Sequence, residues 1–453
     1  MPYGPHTPTD RERMREALAI ASTDELFDDI PVAVRAHGLD LPGPEPELEL
    51  ALRLRELAGR NRVDLVSFLG AGAYRHYVPA AVDQIVSRGE FATAYTPYQP
   101  EISQGTLQTI YEYQSMLAEL TGLDAVSASH YDGATATAEA ALMCLRATGR
   151  ARVLVSAALH PYHTATVRTY LDGTRFATET IPLLTRGTVD LDALERLLAD
   201  TDRPVAGVLV AQPNVCGALE PMADVARLAH AAGALFVAVV EPVSLAVLAP
   251  PGAYGADIAA GEGQPLGLSL AYGGPYLGIL AVTTALMRQL PGRLVGRTTD
   301  ADGRRAFVMT LRAREQDIRR ERAASNICTN QALCALAATV YLATIGPHGL
   351  RDAAALGAAR ARELERALAA AGAPRIHDAP YLNEFAVRVP QALRVHAALL
   401  DRGILAGFPL ASWFPDDPLL RDGLLVCATE VTRPHEIEAF AAALSDATAE
   451  AVA

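Results

Sequence analysis

From about residue 120 onward the chain alternates short, continuously apolar runs with stretches of helical periodicity. DAVSAS (124–129), ARVLVSAA (151–158), PVAGVLVA (204–211), ALFVAVV (234–240) and YLGILAV (276–282) are the apolar runs, and Ala134–Ala147, Leu191–Ala199 and Met222–Ala232 are helical stretches between them. A run that is apolar at nearly every position, not every second one, reads as a strand buried on both faces. The alternation therefore predicts a mainly parallel sheet covered by helices on both sides.

The pattern changes on either side of this block. Residues 1–65 are polar and helical, with acidic starts and Pro breaks, as in TDELFDDIP and LPGPEPELELALRLRELAGRN, which predicts an arm and not a core. A loop region dense in Gly, Pro and Tyr follows, from SFLGAGAYRHYVP to EFATAYTPYQPEISQG, and leads into a long helix beginning near Gly105. After the alternating block, TLRAREQDIRRERAASN places Arg, Glu, Gln and Asp at helical spacing from Arg312 to Arg322, which predicts a salt-bridged helix face. Two long helical patterns (328–346 and 348–372), strand candidates NEFAVRV and GLLVCA, and a final helix complete the chain. The expected organisation is an arm (1–65), a large α/β domain (66–320) and a smaller C-terminal α/β domain (321–453).

Composition narrows the possible partners. Half of the 453 residues are hydrophobic, and the formal net charge is −13, with no dense basic run for binding a nucleic-acid backbone. No membrane span or signal peptide is expected from the hydropathy, and five cysteines without a CxxC pair fit reduced thiols in a cytoplasm. All 39 basic side chains counted as Lys or Arg are arginine; the chain contains no lysine.

That absence matters because of three positions. In YDGATATAEAALM a strand candidate passes into a helix, and Gly133, the Thr135 hydroxyl and the helix N-terminus make an anion seat. Taken alone, the same turn reads more simply as a helix start capped by Asp132, with Gly133 easing the turn. Glu241 directly follows the strand candidate ALFVAVV, where an acid can hold a pyridine nitrogen protonated, or simply sit in a solvated loop. About two dozen residues further on, where a pyridoxal-phosphate enzyme would place its lysine, the chain reads GADIAAGEGQPLG, with Gln264 and Pro265 at the station. Arginine cannot substitute there, because it stays protonated and forms no imine.

Tyr95, Tyr98, Gln99, Glu101, Ser103 and Gln104 crowd aromatic faces, amides, a hydroxyl and a carboxylate into ten residues, which suits a polar pocket, an interface or a rigid Pro-bounded loop. Arg75 and His76, in the GAGAYRHYVP loop, suit a carboxylate or phosphate, although Arg75 by itself reads first as a surface arginine. His160 and His163 flank Pro161 and Tyr162, a spacing that disfavours metal binding.

SFLGAGAYRHYVP, YTPYQPEISQGTLQTIYEYQ, YDGATATAEAALM, PPGAYGADIAAGEGQPLG, GGPYLG and REQDIRRERAASNICTNQ together resemble the N-terminal, or alpha, subunit of the glycine cleavage system P-protein, a family also described as glycine dehydrogenase (decarboxylating) subunit 1. The resemblance runs from about residue 8 to about residue 447. It implies an aminotransferase-like (type I) pyridoxal-phosphate fold and pairing with a beta subunit whose lysine carries the cofactor covalently. It implies decarboxylation of glycine, with the aminomethyl group passing to the lipoyl arm of the H-protein. It also implies that Tyr95, Tyr98, Gln99, Glu101, Ser103 and Gln104 face a shared site, while Asp132, Gly133, Thr135, Glu241 and Gln264 are a remnant cofactor site. The chain departs from the family pattern at Asp317, where His or Tyr is common, at Arg322, where Lys is common, and at Glu241, where Asp often stands.

Overall fold

The computed structural model describes residues 4–36 and 38–452. They form two compact units, divided between Val63 and Asp64. In the first, helices span Pro8–Leu18 and Glu47–Ala58, with single 3-10 turns at Thr23–Phe27 and Val32–Val34. The first helix is fixed at its start by a reciprocal cap: Thr7 Oγ1 accepts the Asp10 N–H at 3.2 Å, and the Asp10 carboxylate accepts the Thr7 N–H at 2.9 Å. No described residue of this unit is buried.

The second unit is built on a seven-stranded sheet. Its strands in chain order are β1 (Ala125–Val126), β2 (Arg152–Ser156), β3 (Ala177–Ile181), β4 (Val205–Gln212), β5 (Leu235–Val240), β6 (Ile258–Glu262) and β7 (Gly278–Val282). In space they run β1-β7-β6-β5-β4-β2-β3. Strands β3, β2, β4, β5 and β6 are parallel, while β7 is antiparallel to both β6 and β1.

The alternation within each strand sorts side chains onto two cores. Val153, Leu209 and Val237 join Met143 and Leu145 on one face, and Leu154, Val208, Val210 and Phe236 join Val225 on the other. Helix α1 (Gln104–Thr121) precedes the sheet, and α2 (Gly133–Thr148) lies over it. The buried alanines 136, 138, 140 and 141 let α2 approach closely. Contact is tightest at Gly207, where a Cβ would lie 2.6 Å from the Cys144 sulfur.

Within the alternating block, two strands and a helix went unread in the hydropathy. ATETI of β3 is an edge strand with one fully buried side chain, and IAAGE of β6 is made largely of small residues. Helix α3 (Pro161–Leu171) buries only Val167 and Leu171. The helix expected over 312–322 is absent. In its place stand a 3-10 turn (Arg312–Arg314), one α-turn (Gln316–Arg319) and another 3-10 turn (Arg320–Arg322). Left-handed backbone at Leu311 (φ 54°) and positive φ at Arg320 (51°) break the path. The Arg312–Asp317 ion pair at 2.7 Å spans five residues, not the three or four of a helix face.

The helix Ala332–Ala370 bends at Gly346 (φ 63°, ψ −178°), beside Pro347, which separates the two helical patterns seen in the sequence. By length and composition it could cross a membrane, but Cys334, Ala335, Leu336, Ala337, Ala338 and Tyr341 of its apolar half are buried in the protein core. Beyond it, Glu384–Arg388 and Phe408–Pro409 pair antiparallel with Gly423–Cys427, and the helix Pro434–Val452 covers them. Val66–Ser67 adds a parallel partner to Ile404–Leu405, and Phe68 packs on Phe440 with ring centroids 4.6 Å apart.

Candidate functional site

Open parallel sheets present ligand sites at the carboxyl ends of their strands. Here the ends of β4, β5 and β6 enclose a cavity of about 70 Å³, lined among others by Tyr74, His160, His163, Glu241, Glu262 and Glu384. Pockets that hold small molecules are commonly about 300–1,000 Å³. Of the remnant-site residues read from the sequence, Glu241 lines the cavity, and Gly133 and Gln264 bond to its lining residues Glu262 and Tyr74; all five, with Asp132 and Thr135, are bonded within the chain.

Asp132 caps α2: its carboxylate accepts the Thr135 N–H at 2.8 Å, and Thr135 Oγ1 accepts the Asp132 N–H at 3.2 Å. The helix-cap reading therefore holds for both residues. The Gly133 N–H donates to Glu262 Oε2 at 2.8 Å, so a carboxylate of this chain occupies the anion seat. Glu241 turns back on its own loop and accepts the N–H groups of Val243 (2.9 Å) and Ser244 (2.6 Å). It is part-buried in the cavity wall and is not a free loop carboxylate.

Gln264 is 1% exposed and behaves as a piece of strand backbone. Its Oε1 accepts the Tyr74 N–H at 2.9 Å, and its Nε2 donates to the carbonyls of Tyr74 (3.0 Å) and Leu268 (2.8 Å). Two further cavity groups were not anticipated from the sequence. Glu262 sits between Gly261 and Gly263 as the last residue of the unread strand β6. Glu384 opens the strand NEFAVRV and accepts the Ala71 N–H (2.6 Å) and the Tyr74 hydroxyl (2.9 Å). A charged residue flanked by glycines at a strand end was the available signal for Glu262.

Burial pushes the Glu262 and Glu384 carboxyls up to about 7; for Glu262 the N–H donors of Leu277, Gly133 and Gln264 oppose the shift. Glu241 is raised by burial as well. Burial, with His160 adding repulsion, lowers His163 to about 3, while the charge of His76 opposes the rise of Glu241. His160 is itself lowered by burial. Its Nε2 meets the Ala71 carbonyl at 3.0 Å, and its Nδ1 accepts the Tyr162 N–H at 3.2 Å.

The 95–104 segment has the opposite character. Tyr95 is 79% exposed and Tyr98 43%, with Gln99 and Glu101 also exposed. Gln104 anchors the segment. Its Nε2 donates to the Pro100 (2.6 Å) and Phe307 (2.9 Å) carbonyls, and its Oε1 accepts the Phe307 N–H at 2.9 Å. Ser103 starts α1, its carbonyl accepting the Leu107 N–H.

The Tyr98 oxygen accepts from Arg293 Nη2 at 2.7 Å, and its ring lies within cation–π range of Arg293 (5.1 Å) and Arg312 (5.3 Å). Because Arg293 uses a lone pair of the phenol, the Tyr98 O–H remains available to donate to another acceptor. Tyr98 borders an open groove of about 260 Å³ shared with Glu315, Gln316, Asp317, Ile327 and Cys328. Arg75 and His76 lie elsewhere: His76 Nδ1 pairs with Glu430 at 2.8 Å, and the Arg75 carbonyl accepts from Thr429.

A family model described as glycine cleavage system P-protein matches residues 1–444. The chain belongs to the glycine cleavage system P-protein family. It is 49% identical over 447 residues to a probable glycine dehydrogenase (decarboxylating) subunit 1 of Moorella thermoacetica, covering 98% of this chain and 99% of that one. It is 48% identical to the corresponding protein of Anaeromyxobacter dehalogenans, covering 98% and 100% of the two chains. Among solved structures, a glycine decarboxylase (P-protein) of the glycine cleavage system, in inhibitor-bound form, superposes with a TM-score of 0.90 at 44% identity, covering 99% of this chain and 100% of that one. A sphingosine-1-phosphate lyase of Burkholderia pseudomallei (TM-score 0.65, 17% identity, 92% and 93% covered) shares the fold.

The fold is therefore the aminotransferase-like type I fold of pyridoxal-phosphate-dependent enzymes. In this P-protein chain the residues at the corresponding place do not fit that cofactor. There is no lysine for an imine, the cavity is small, and its lining includes three glutamates and neither arginine nor lysine. A phosphate dianion would meet carboxylates and a Gly133 N–H already bonded to one.

Proposed function

We propose that this P-protein chain is the alpha half of a two-chain glycine decarboxylase, inactive alone, that completes the active site of a lysine-bearing beta subunit. The observation carrying this reading is Gln264: at the station of the missing lysine, both atoms of its amide are bonded to backbone, in a chain without any lysine. Pyridoxal phosphate, held covalently by the partner, supplies the electron sink for loss of the glycine carboxylate. The aminomethyl group that remains passes to the lipoyl arm of the H-protein, the second expected partner.

This chain's contribution is the outward ledge. Tyr95, Tyr98, Gln99, Glu101 and Ser103 face the shared site, and Gln104 holds the ledge rigid from behind. Arg293 fixes the Tyr98 phenol and leaves its O–H available to donate to a substrate or cofactor oxygen. The aromatic walls exclude water and orient the reactants. A cytoplasmic setting fits this assignment, with neither nucleic acid nor membrane as a partner.

The test is exchange of the glycine carboxylate with labelled bicarbonate. The chain alone, supplied with pyridoxal phosphate and glycine, should exchange none, and the two-chain complex should far exceed the beta subunit alone. Exchange by this chain alone would overturn the reading. A complex no more active than its beta subunit would favour the alternative, a scaffold or regulatory homodimer of the same fold.

A further inference from the structure

The Glu262 carboxylate draws together three separate stretches of backbone. Its Oε2 accepts the Gly133 N–H at the start of α2 (2.8 Å), and its Oε1 accepts the N–H groups of Gln264 and Leu277 (2.9 Å each). The approach is close: a Cβ on Gly133 would lie 2.8 Å from the Glu262 nitrogen and 2.9 Å from its Cβ. The first turn of a helix has N–H groups without partners and a positive dipole end, which together make a phosphate seat. Neither arginine nor lysine lines this cavity, so where the carboxyl is ionised the backbone donors balance its charge.

We infer that Glu262 is a built-in anion, seated where a phosphate would bind, and that it holds α2, β6 and the start of β7 together without a cofactor. The inference concerns this chain's own cavity and stands whether or not the proposed partnership does. It adds a specific reason for the refusal of pyridoxal phosphate: restoring a lysine would leave the phosphate seat filled. It also implies a latent anion site. With the carboxylate removed, the same three N–H groups should accept inorganic phosphate or a small carboxylate such as formate.

The test compares thermal unfolding of the full chain as wild type, Glu262→Ala and Glu262→Gln, in inorganic phosphate, formate, or chloride at equal ionic strength. Glu262→Ala should unfold at lower temperature in chloride and recover by about 2 °C or more, saturably, in phosphate or formate. Wild type and Glu262→Gln, whose seats remain filled, should show no such recovery. An alanine variant that responds no more than wild type would overturn the inference.

Should the alanine variant not fold, amide hydrogen exchange of Glu262→Gln decides. A glutamine presents one acceptor oxygen where the carboxylate has two, so its NH₂ must oppose at least one of the three N–H groups. With the oxygen kept on Gln264 and Leu277, the Gly133 amide should exchange at least about tenfold faster. Unchanged protection at all three amides would overturn the inference.

Discussion

The cavity at the ends of β4, β5 and β6 and the ledge at residues 95–104 differ in what their polar atoms do. In the cavity Glu241, Glu262, Gln264 and Glu384 each end on backbone or on Tyr74, and the space left is about 70 Å³. On the ledge Tyr95, Gln99 and Glu101 stand exposed, and Tyr98 borders a groove of about 260 Å³. The two can be told apart only by following hydrogen bonds, since both segments are rich in Gly, Pro and polar residues. A site whose donors and acceptors are matched internally maintains a fold, and one that leaves them directed outward recognises something else.

The strongest challenge to this contrast is Gln264→Lys, which restores the amine but removes the amide that clamps Tyr74. It leaves the Tyr74 N–H without its acceptor and buries an ammonium, a cost of about 3 kcal/mol or more. The variant should unfold at markedly lower denaturant and develop no visible absorbance with pyridoxal phosphate. A stable variant that binds the cofactor would show that the cavity was merely missing its lysine.

The next effect is on pH dependence. A carboxyl whose folded-state pKa is raised binds more protons folded than unfolded between the two values. Its penalty is therefore absent below the unfolded value, grows as pH rises through the window, and is complete above the folded value. For Glu384 that window runs from 4.5 to about 7. Glu384→Gln keeps an acceptor for the Ala71 N–H and a donor for the Tyr74 hydroxyl oxygen. It should reduce the stability lost between about pH 5 and about pH 8 by on the order of 2 kcal/mol, read from denaturant midpoints. Parallel pH curves for variant and wild type would show that this carboxyl is not perturbed.

A smaller effect lies at the cap. Thr135→Ala removes the acceptor of the Asp132 N–H and the hydroxyl's donation to the Asp132 carbonyl (3.0 Å), and should cost about 1 kcal/mol, leaving glycine turnover of the two-chain complex unchanged. A loss of turnover would place Thr135 in the shared chemistry and blur the contrast.

The sequence showed where the cavity would be but not what fills it. The buried strands were legible because β2, β4, β5 and β7 are apolar on both faces. Strand β3 lies at the sheet edge, and β6 is mostly Ala and Gly, so neither carried a pattern. Asp132 with Thr135 was legible as a cap because the bond is local. Gln264 was located, but its partner Tyr74 is 190 positions away, and Gly133 and Glu262 are 129 apart, distances over which one sequence carries no pairing signal. The 312–322 segment erred in the other direction: its local charge spacing promised a helix, and the backbone at Leu311 and Arg320 turns it into short pieces beside Tyr98.

The central claim, that this chain acts through its ledge and not through its own cavity, is tested most directly by bicarbonate exchange in a complex carrying Tyr98→Phe and Glu101→Gln together. Exchange should fall about tenfold or more with assembly and cofactor content unchanged. Exchange at the wild-type rate would contradict it.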